Sequence, residues 1–233
     1  MARAIARRTD GDIATDSTAR GKASGAVVSD LGFIHHFLTG RDTASPVLLL
    51  LHGTGGDEND LIPLGQELLP GAAILSVRGK VLENGMPRFF RRLAEGVFDL
   101  EDLRGRTEEL AQFIDTAREQ YGFSQNRLIA VGYSNGANIA ASLMLRHPNR
   151  LSEAVLFRAM VPFVPDALPD LSGASIFLSA GERDSIIPAA NTRQLSSMFE
   201  AAGASISMHW HKGGHELGQD DVDAAKLWLG RLE

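Results

Sequence analysis

Near-continuous apolar runs recur along the chain: Val47–Leu51, Ala72–Val77, Leu128–Val131, Glu153–Phe157 and Ser175–Ser179. Runs this short, without polar alternation, are what strands covered on both faces require. Between them the apolar positions return at helical spacing. Helices are expected over Asp60–Leu69 and over Thr107–Tyr121, where Leu110, Phe113, Ile114 and Ala117 share a face. Another follows Val131, with Ala137, Ile139, Ala140, Leu143 and Met144 on its apolar side, and two more span Ala189–Ala202 and Val222–Leu232. A strand over Phe33–Phe37, with His35 and His36 on opposite faces, opens the series, and one over Ala204–Trp210 closes it. Strands alternating with helices predict an α/β fold built on a mostly parallel, doubly wound sheet. The stretch from Arg78 to Leu103, carrying Phe89, Phe90, Arg91, Arg92 and Phe98, reads as a long irregular segment.

Composition sharpens this picture. A chain of 233 residues, 44% hydrophobic, has enough apolar surface for one α/β domain, expected over residues 27–233. Residues 1–26 stand apart: Arg3, Arg7, Arg8, Arg20 and Lys22 are mixed with Asp10, Asp12, Asp16 and many small residues. Arg7-Arg8 has no apolar stretch behind it, so a secretory or twin-arginine signal is not supported and a disordered leader is expected. No apolar run approaches a membrane span, and the net charge of −6 argues against nucleic acid as a partner. These features place the protein in the cytoplasm, without stable membrane association, and leave homodimer formation open. No cysteine is present, so neither a disulfide framework nor a thiol nucleophile is available.

The chemistry-bearing pattern lies behind Leu128–Val131. Gly132-Tyr133-Ser134-Asn135-Gly136 is a G-x-S-x-G between a strand and a helix. Such a turn holds its serine in a strained conformation at a helix N-terminus, where the N–H of Asn135 points at a developing oxyanion. The pentapeptide alone is weak, and partners must decide. Asp184 and His215 follow in the order Ser, acid, His, each past the end of an expected strand. In that arrangement Ser134 attacks an acyl carbon, His215 moves the proton and Asp184 orients the imidazole. Glu182 competes with Asp184 for the acid role. His209 and His211 compete with His215, although both fall on the strand rather than in a loop able to fold back over the sheet.

The Val47–Leu51 run ends in His52-Gly53-Thr54-Gly55-Gly56-Asp57. Glycines there free the backbone to aim N–H groups, and that of Thr54 is the expected second oxyanion donor. A dinucleotide loop is excluded because Glu58 stands where the third glycine of G-x-G-x-x-G belongs. No cofactor is implied.

Taken together, His52 to Glu58, Gly132 to Gly136, Gly181-Glu182-Arg183-Asp184 and Gly214-His215-Glu216 resemble the small, lidless serine carboxylesterases of the α/β-hydrolase superfamily. These form the bacterial phospholipase/carboxylesterase group, related to acyl-protein thioesterases. The resemblance spans residues 30–232. It implies an α/β-hydrolase fold and cleavage of small carboxylic esters through an acyl-enzyme, with thioesterase or lysophospholipase-like action on longer chains as the alternative. Members commonly carry Gln after the nucleophile, where this chain has Asn135. The absence of cysteine also excludes the dienelactone-hydrolase variant with Cys in place of the serine.

Arg158–Ser172, stiffened by Pro162, Pro165 and Pro169, is too short for a cap domain. An open groove is therefore expected, walled by Phe89, Phe90, Met160, Val161 and Ile187. Two other classes compete: a metal-dependent hydrolase using His209, His211 and His215, and a non-catalytic binding protein on the same fold. Chelator sensitivity and labelling by a fluorophosphonate discriminate them.

Overall fold

In the computed structural model, residues 27–28, 31–41, 46–123 and 127–232 are described. The leader expected over residues 1–26 lies outside them. The first elements are strands β1 (Val27–Val28), β2 (Ile34–Leu38) and β3 (Val47–Leu51), helix α1 (Ile62–Leu68) and strand β4 (Ala73–Val77). Two small hairpins follow, β5 (Val81–Glu83) with β6 (Met86–Arg88) and β7 (Arg92–Ala94) with β8 (Val97–Phe98). Then come α2 (Leu100–Gln120), β9 (Leu128–Tyr133), α3 (Asn135–Arg146), β10 (Glu153–Phe157) and β11 (Ser175–Gly181). Helix α4 (Ala189–Ala201), strand β12 (Ser205–His211) and helix α5 (Gln219–Leu229) complete the domain.

Eight strands form one sheet in the order β1-β2-β4-β3-β9-β10-β11-β12. The pairs β1–β2 and β2–β4 are antiparallel, and every later pair is parallel. The apolar run of β3 is explained by its two covered faces. Val47, Leu49 and Leu51 pack with residues of α2, α3 and α4, while Leu48 and Leu50 pack with α1 and α5. Helix α3 is buried from Asn135 to Leu145. Among the described residues no helix is long and apolar enough to cross a membrane.

Two sequence expectations are corrected. The segment from Arg78 is not irregular but folds into the two hairpins, which pair through three- and two-residue strands too short to show period-two alternation. Helix α2 also begins at Leu100, seven positions earlier than expected. The side chain of Asp99 accepts the N–H of Asp102 at its start, and Glu101 and Asp102 complement the helix dipole. The other elements lie within a few residues of their expected bounds, and no cap domain interrupts residues 158–174.

Candidate active site

Strand β9 and helix α3 meet at Ser134 with no intervening loop, and this forces φ 52°, ψ −112° on the serine. Strain of this kind persists only where the surroundings impose it. They do so here by contact. A Cβ on Gly136 would stand 1.9 Å from the carbonyl oxygen of Leu51, and one on Gly132 would stand 2.6 Å from Cα of Ala137. Only glycine fits at either position. The N–H of Ser134 donates to Phe157 O at 2.9 Å, fixing the turn against β10.

Ser134 Oγ lies 2.9 Å from His215 Nε2, and His215 Nδ1 lies 2.8 Å from Asp184 Oδ2. A carboxylate only accepts, so Nδ1 carries the proton and Nε2 is left to receive that of the serine. The other oxygen of Asp184 accepts the N–H groups of Ile186 and Ile187 at 2.8 and 3.0 Å. With its side chain 2% exposed, Asp184 is held in a single orientation. Glu182, by contrast, is exposed, and its own N–H donates to His211 O. Tyr133 donates its hydroxyl to His215 O at 3.1 Å.

The two expected oxyanion donors border the same cavity as Ser134. Asn135 is the first residue of α3, so no carbonyl one turn back within the helix receives its N–H. Among the described residues the Thr54 N–H has no carbonyl partner. The loop carrying Thr54 is braced by His52, which is buried. Its Nδ1–H donates to Gly53 O at 2.6 Å, and its Nε2 accepts the N–H of Gly79 at 3.0 Å. Burial pushes the imidazole below its ordinary pKa, keeping it in the neutral form that this pair of bonds requires.

The cavity, of about 210 Å³, is walled by Phe98, Met160, Ile186 and Ile187 on its apolar side and by Arg88, Arg92 and Asn138 on its polar side. Met160 and Ile187 thus stand where the sequence placed them. Phe89, Phe90 and Val161 do not. Phe89 packs 4.8 Å from the His52 ring, and its N–H donates to Asn135 Oδ1 at 2.7 Å. Phe90 is fully buried against Phe98, and Val161 packs on the core. The two phenylalanines lie in the link between the hairpins and face inward, and Phe98 from β8 of the second hairpin takes the wall position.

The model of the Dienelactone hydrolase family matches residues 89–222, more than half of the chain. The chain belongs to the dienelactone hydrolase family. Within it, this member has no cysteine anywhere and presents Ser134 at the strained turn. MhqD of Bacillus subtilis (strain 168) is 50% identical over 188 residues, which cover 81% of this chain and 94% of that protein. The Bacillus cereus carboxylesterase structure superposes with a TM-score of 0.86 at 50% identity, covering 88% of this chain and 96% of that one. A carboxylesterase from Mesorhizobium loti, 29% identical, gives a TM-score of 0.80 over 89% of this chain and 99% of its own.

In this family member one residue that sequence reasoning missed holds the His215 loop. Arg158 follows β10 with φ 56° and is fully buried. Its Nε donates to Gly214 O at 3.1 Å and its Nη2 to Glu216 O at 2.7 Å, on either side of His215. Both Nη atoms also engage Asp221, at 2.9 and 2.7 Å, and Nη1 donates to Ser179 Oγ. A charged residue directly after a buried strand was the one available signal. Burial pushes the Asp221 carboxyl up, but hydrogen bonds from Arg158, Ser179 and the Gly218 N–H outweigh it, so its folded pKa lies below the ordinary value. Stability from this pair is therefore present above the ordinary carboxylate range and lost as pH falls through the lower, folded value.

The three-histidine metal reading is not assembled. Both nitrogens of His215 are committed to Ser134 and Asp184. His211 instead meets Asp220 at 2.7 Å, and the three-residue group His211, Asp220 and Asp221 depends on a carboxylate already engaged through both oxygens by Arg158. EDTA is expected to leave hydrolysis unchanged, and His211→Ala to retain most of it. Loss of most activity in either experiment would revive a metal role.

Proposed function

We propose that this hydrolase, an enzyme of carboxylesterase type, cleaves small carboxylic esters with Ser134 as nucleophile, His215 as general base and Asp184 as its orienting acid. One observation carries the reading: a single imidazole bridges the serine hydroxyl and a buried carboxylate at 2.9 and 2.8 Å. Ser134 Oγ forms a bond to the acyl carbon as His215 takes its proton, and the oxyanion faces the N–H groups of Thr54 and Asn135. His215 then protonates the departing alkoxide, and water, activated by the same imidazole, releases the acid from Ser134. The fold similarity to two carboxylesterases supports ester over other acyl substrates. A fluorophosphonate probe is expected to label the wild type at Ser134, located by peptide mapping. Its failure to label the folded protein would overturn the assignment and favour the non-catalytic alternative.

The cavity also limits the acyl group. A buried methylene contributes about 0.8 kcal/mol only while a wall covers it. Met160, Ile186, Ile187 and Phe98 bound a space of about 210 Å³, and no cap extends it. On a series of 4-nitrophenyl esters, kcat/KM is expected to peak at about two to six acyl carbons and fall steeply by about twelve. A maximum at palmitoyl length would instead indicate a long covered channel and a thioesterase-like role.

A further inference from the structure

Strand β12 is the outermost strand of the sheet, and among the described residues nothing pairs with its free edge. The N–H of Ser205 donates to Ala174 O, and the carbonyl of His211 accepts the N–H of Glu182. Odd-numbered residues of β12 therefore turn their backbone groups toward β11, and alternation turns those of Ile206, Met208 and Trp210 outward. An unpaired edge is a template for a further strand, and natural edges are guarded by lysine, proline or a bulge. The strand reads Ser205-Ile206-Ser207-Met208-His209-Trp210-His211 and pairs with β11 without a register shift, so it carries none of these guards.

The helix beside this edge presents opposite charges at its two ends. Helix α4 packs on both β11 and β12. On its flank toward β10, Asn191 Oδ1 accepts the N–H of Val161 at 2.8 Å. On the other flank, toward the free edge, the Arg193 guanidinium lies 4.8 Å from the centre of the Trp210 ring. Ser196 and Glu200 follow Arg193 at three and seven positions and share that flank. Arg193 and Glu200 are both exposed, and among the described residues neither is in an ion pair. Seven residues rise about 10 Å along a helix, the length of about three strand residues. With Arg193 level with Trp210, and α4 running back along the sheet, the midpoint between Arg193 and Glu200 lies level with Met208.

We propose that the free edge of β12 binds a second copy of this chain, antiparallel, across a two-fold axis at Met208, so that two sheets join into one. Met208 then pairs with its counterpart, and Ile206 faces Trp210 of the other copy, a β-branched–aromatic cross-strand pair. Because α4 sits over both β11 and β12, about half a strand spacing inside the edge, the two copies of α4 come about 10 Å apart, the distance of packed helices. The same axis sets Arg193 of each copy against Glu200 of the other, with the small Ser196 between them. These charges make the surface complementary to itself, which selects a second copy over a foreign strand. The catalytic residues take no part, so the dimer stands or falls apart from the esterase reading.

Sedimentation velocity of the full chain over a range of concentrations tests this, and a dimer is expected at micromolar protein. Arg193→Glu or Glu200→Arg alone sets like charges opposite each other on both sides of the axis, and each should raise the dissociation constant about tenfold or more. The two together restore opposite charges and should bring the constant back close to the wild-type value. Both side chains are exposed, so the fold is not at risk in these variants. Met208→Pro removes the outward N–H at the axis but no bond to β11, a position where an edge strand tolerates proline. It should be monomeric while keeping the wild-type circular dichroism spectrum. A wild type that is still monomeric at high micromolar concentration would overturn the proposal. A dimer that the single charge reversals leave unchanged, or that the double variant does not restore, would overturn it as well, because the contact would then lie on another face.

Discussion

Ser134→Ala is expected to lower ester hydrolysis by several orders of magnitude and to leave the fold intact. The substitution deletes one oxygen, whose only described partner is His215 Nε2. The glycines that permit the turn and the bond from Ser134 N–H to Phe157 O are untouched. Thermal stability should therefore shift by less than about 1 kcal/mol. Groups that act as one unit lose function together, so His215→Ala should cost about as much, and the double variant little more. Wild-type activity should also decline on the acid side, as His215 takes up the proton that blocks Nε2 from receiving the serine's. More than a tenth of wild-type kcat/KM in a clean Ser134→Ala preparation would remove the serine from the mechanism.

Replacing Arg158 by Met should produce a large loss of stability. It strands a fully buried Asp221 carboxylate and leaves the Gly214 and Glu216 carbonyls without their donor. Removing one member of a buried pair costs about 3–5 kcal/mol. For a domain of this size that corresponds to a melting temperature lower by roughly 10 °C. Two readouts separate this from generic destabilisation. Without the guanidinium, only Ser179 and the Gly218 N–H still oppose burial at Asp221, so its folded pKa rises and acid unfolding should begin at higher pH than in the wild type. At temperatures where the variant is folded, kcat should fall about tenfold with KM little changed, because the carbonyls on both sides of His215 are no longer anchored. Arg158→Lys keeps the charge but not the fork that reaches several acceptors, and should recover only part of either effect. A variant with wild-type melting temperature and kcat would show that the loop is positioned by other contacts.

Much of the domain could be read from local pattern. Val47–Leu51 and Leu128–Val131 declare buried parallel strands because both of their faces are covered, and such strands are built mainly of apolar residues. The order Ser134, Asp184, His215 was legible because each follows the end of a strand, and parallel strands bring their ends to one edge of the sheet. Glycine at 132 and 136 was equally readable, since nothing larger fits the turn.

What the sequence left open was settled by contacts between distant segments. Glu182 and Asp184 differ little as residues. Only the approach of the His215 loop to Asp184, combined with the two N–H groups that fix its other oxygen, separates them. Phe89 and Phe90 carry no local sign of direction. They lie in the link between the two hairpins and pack inward against His52 and Phe98, while Phe98 of β8 and Ile186, past the end of β11, line the cavity. Arg158 reads as an ordinary polar residue in a loop. Its role depends on carbonyls more than fifty residues away and on an aspartate in the last helix, and no pattern along the chain encodes such a meeting. Periodicity reports which face of an element is covered, because burial acts on each residue by itself. Which polar groups meet is decided only when the chain closes, since a buried donor must find its acceptor wherever the fold brings one.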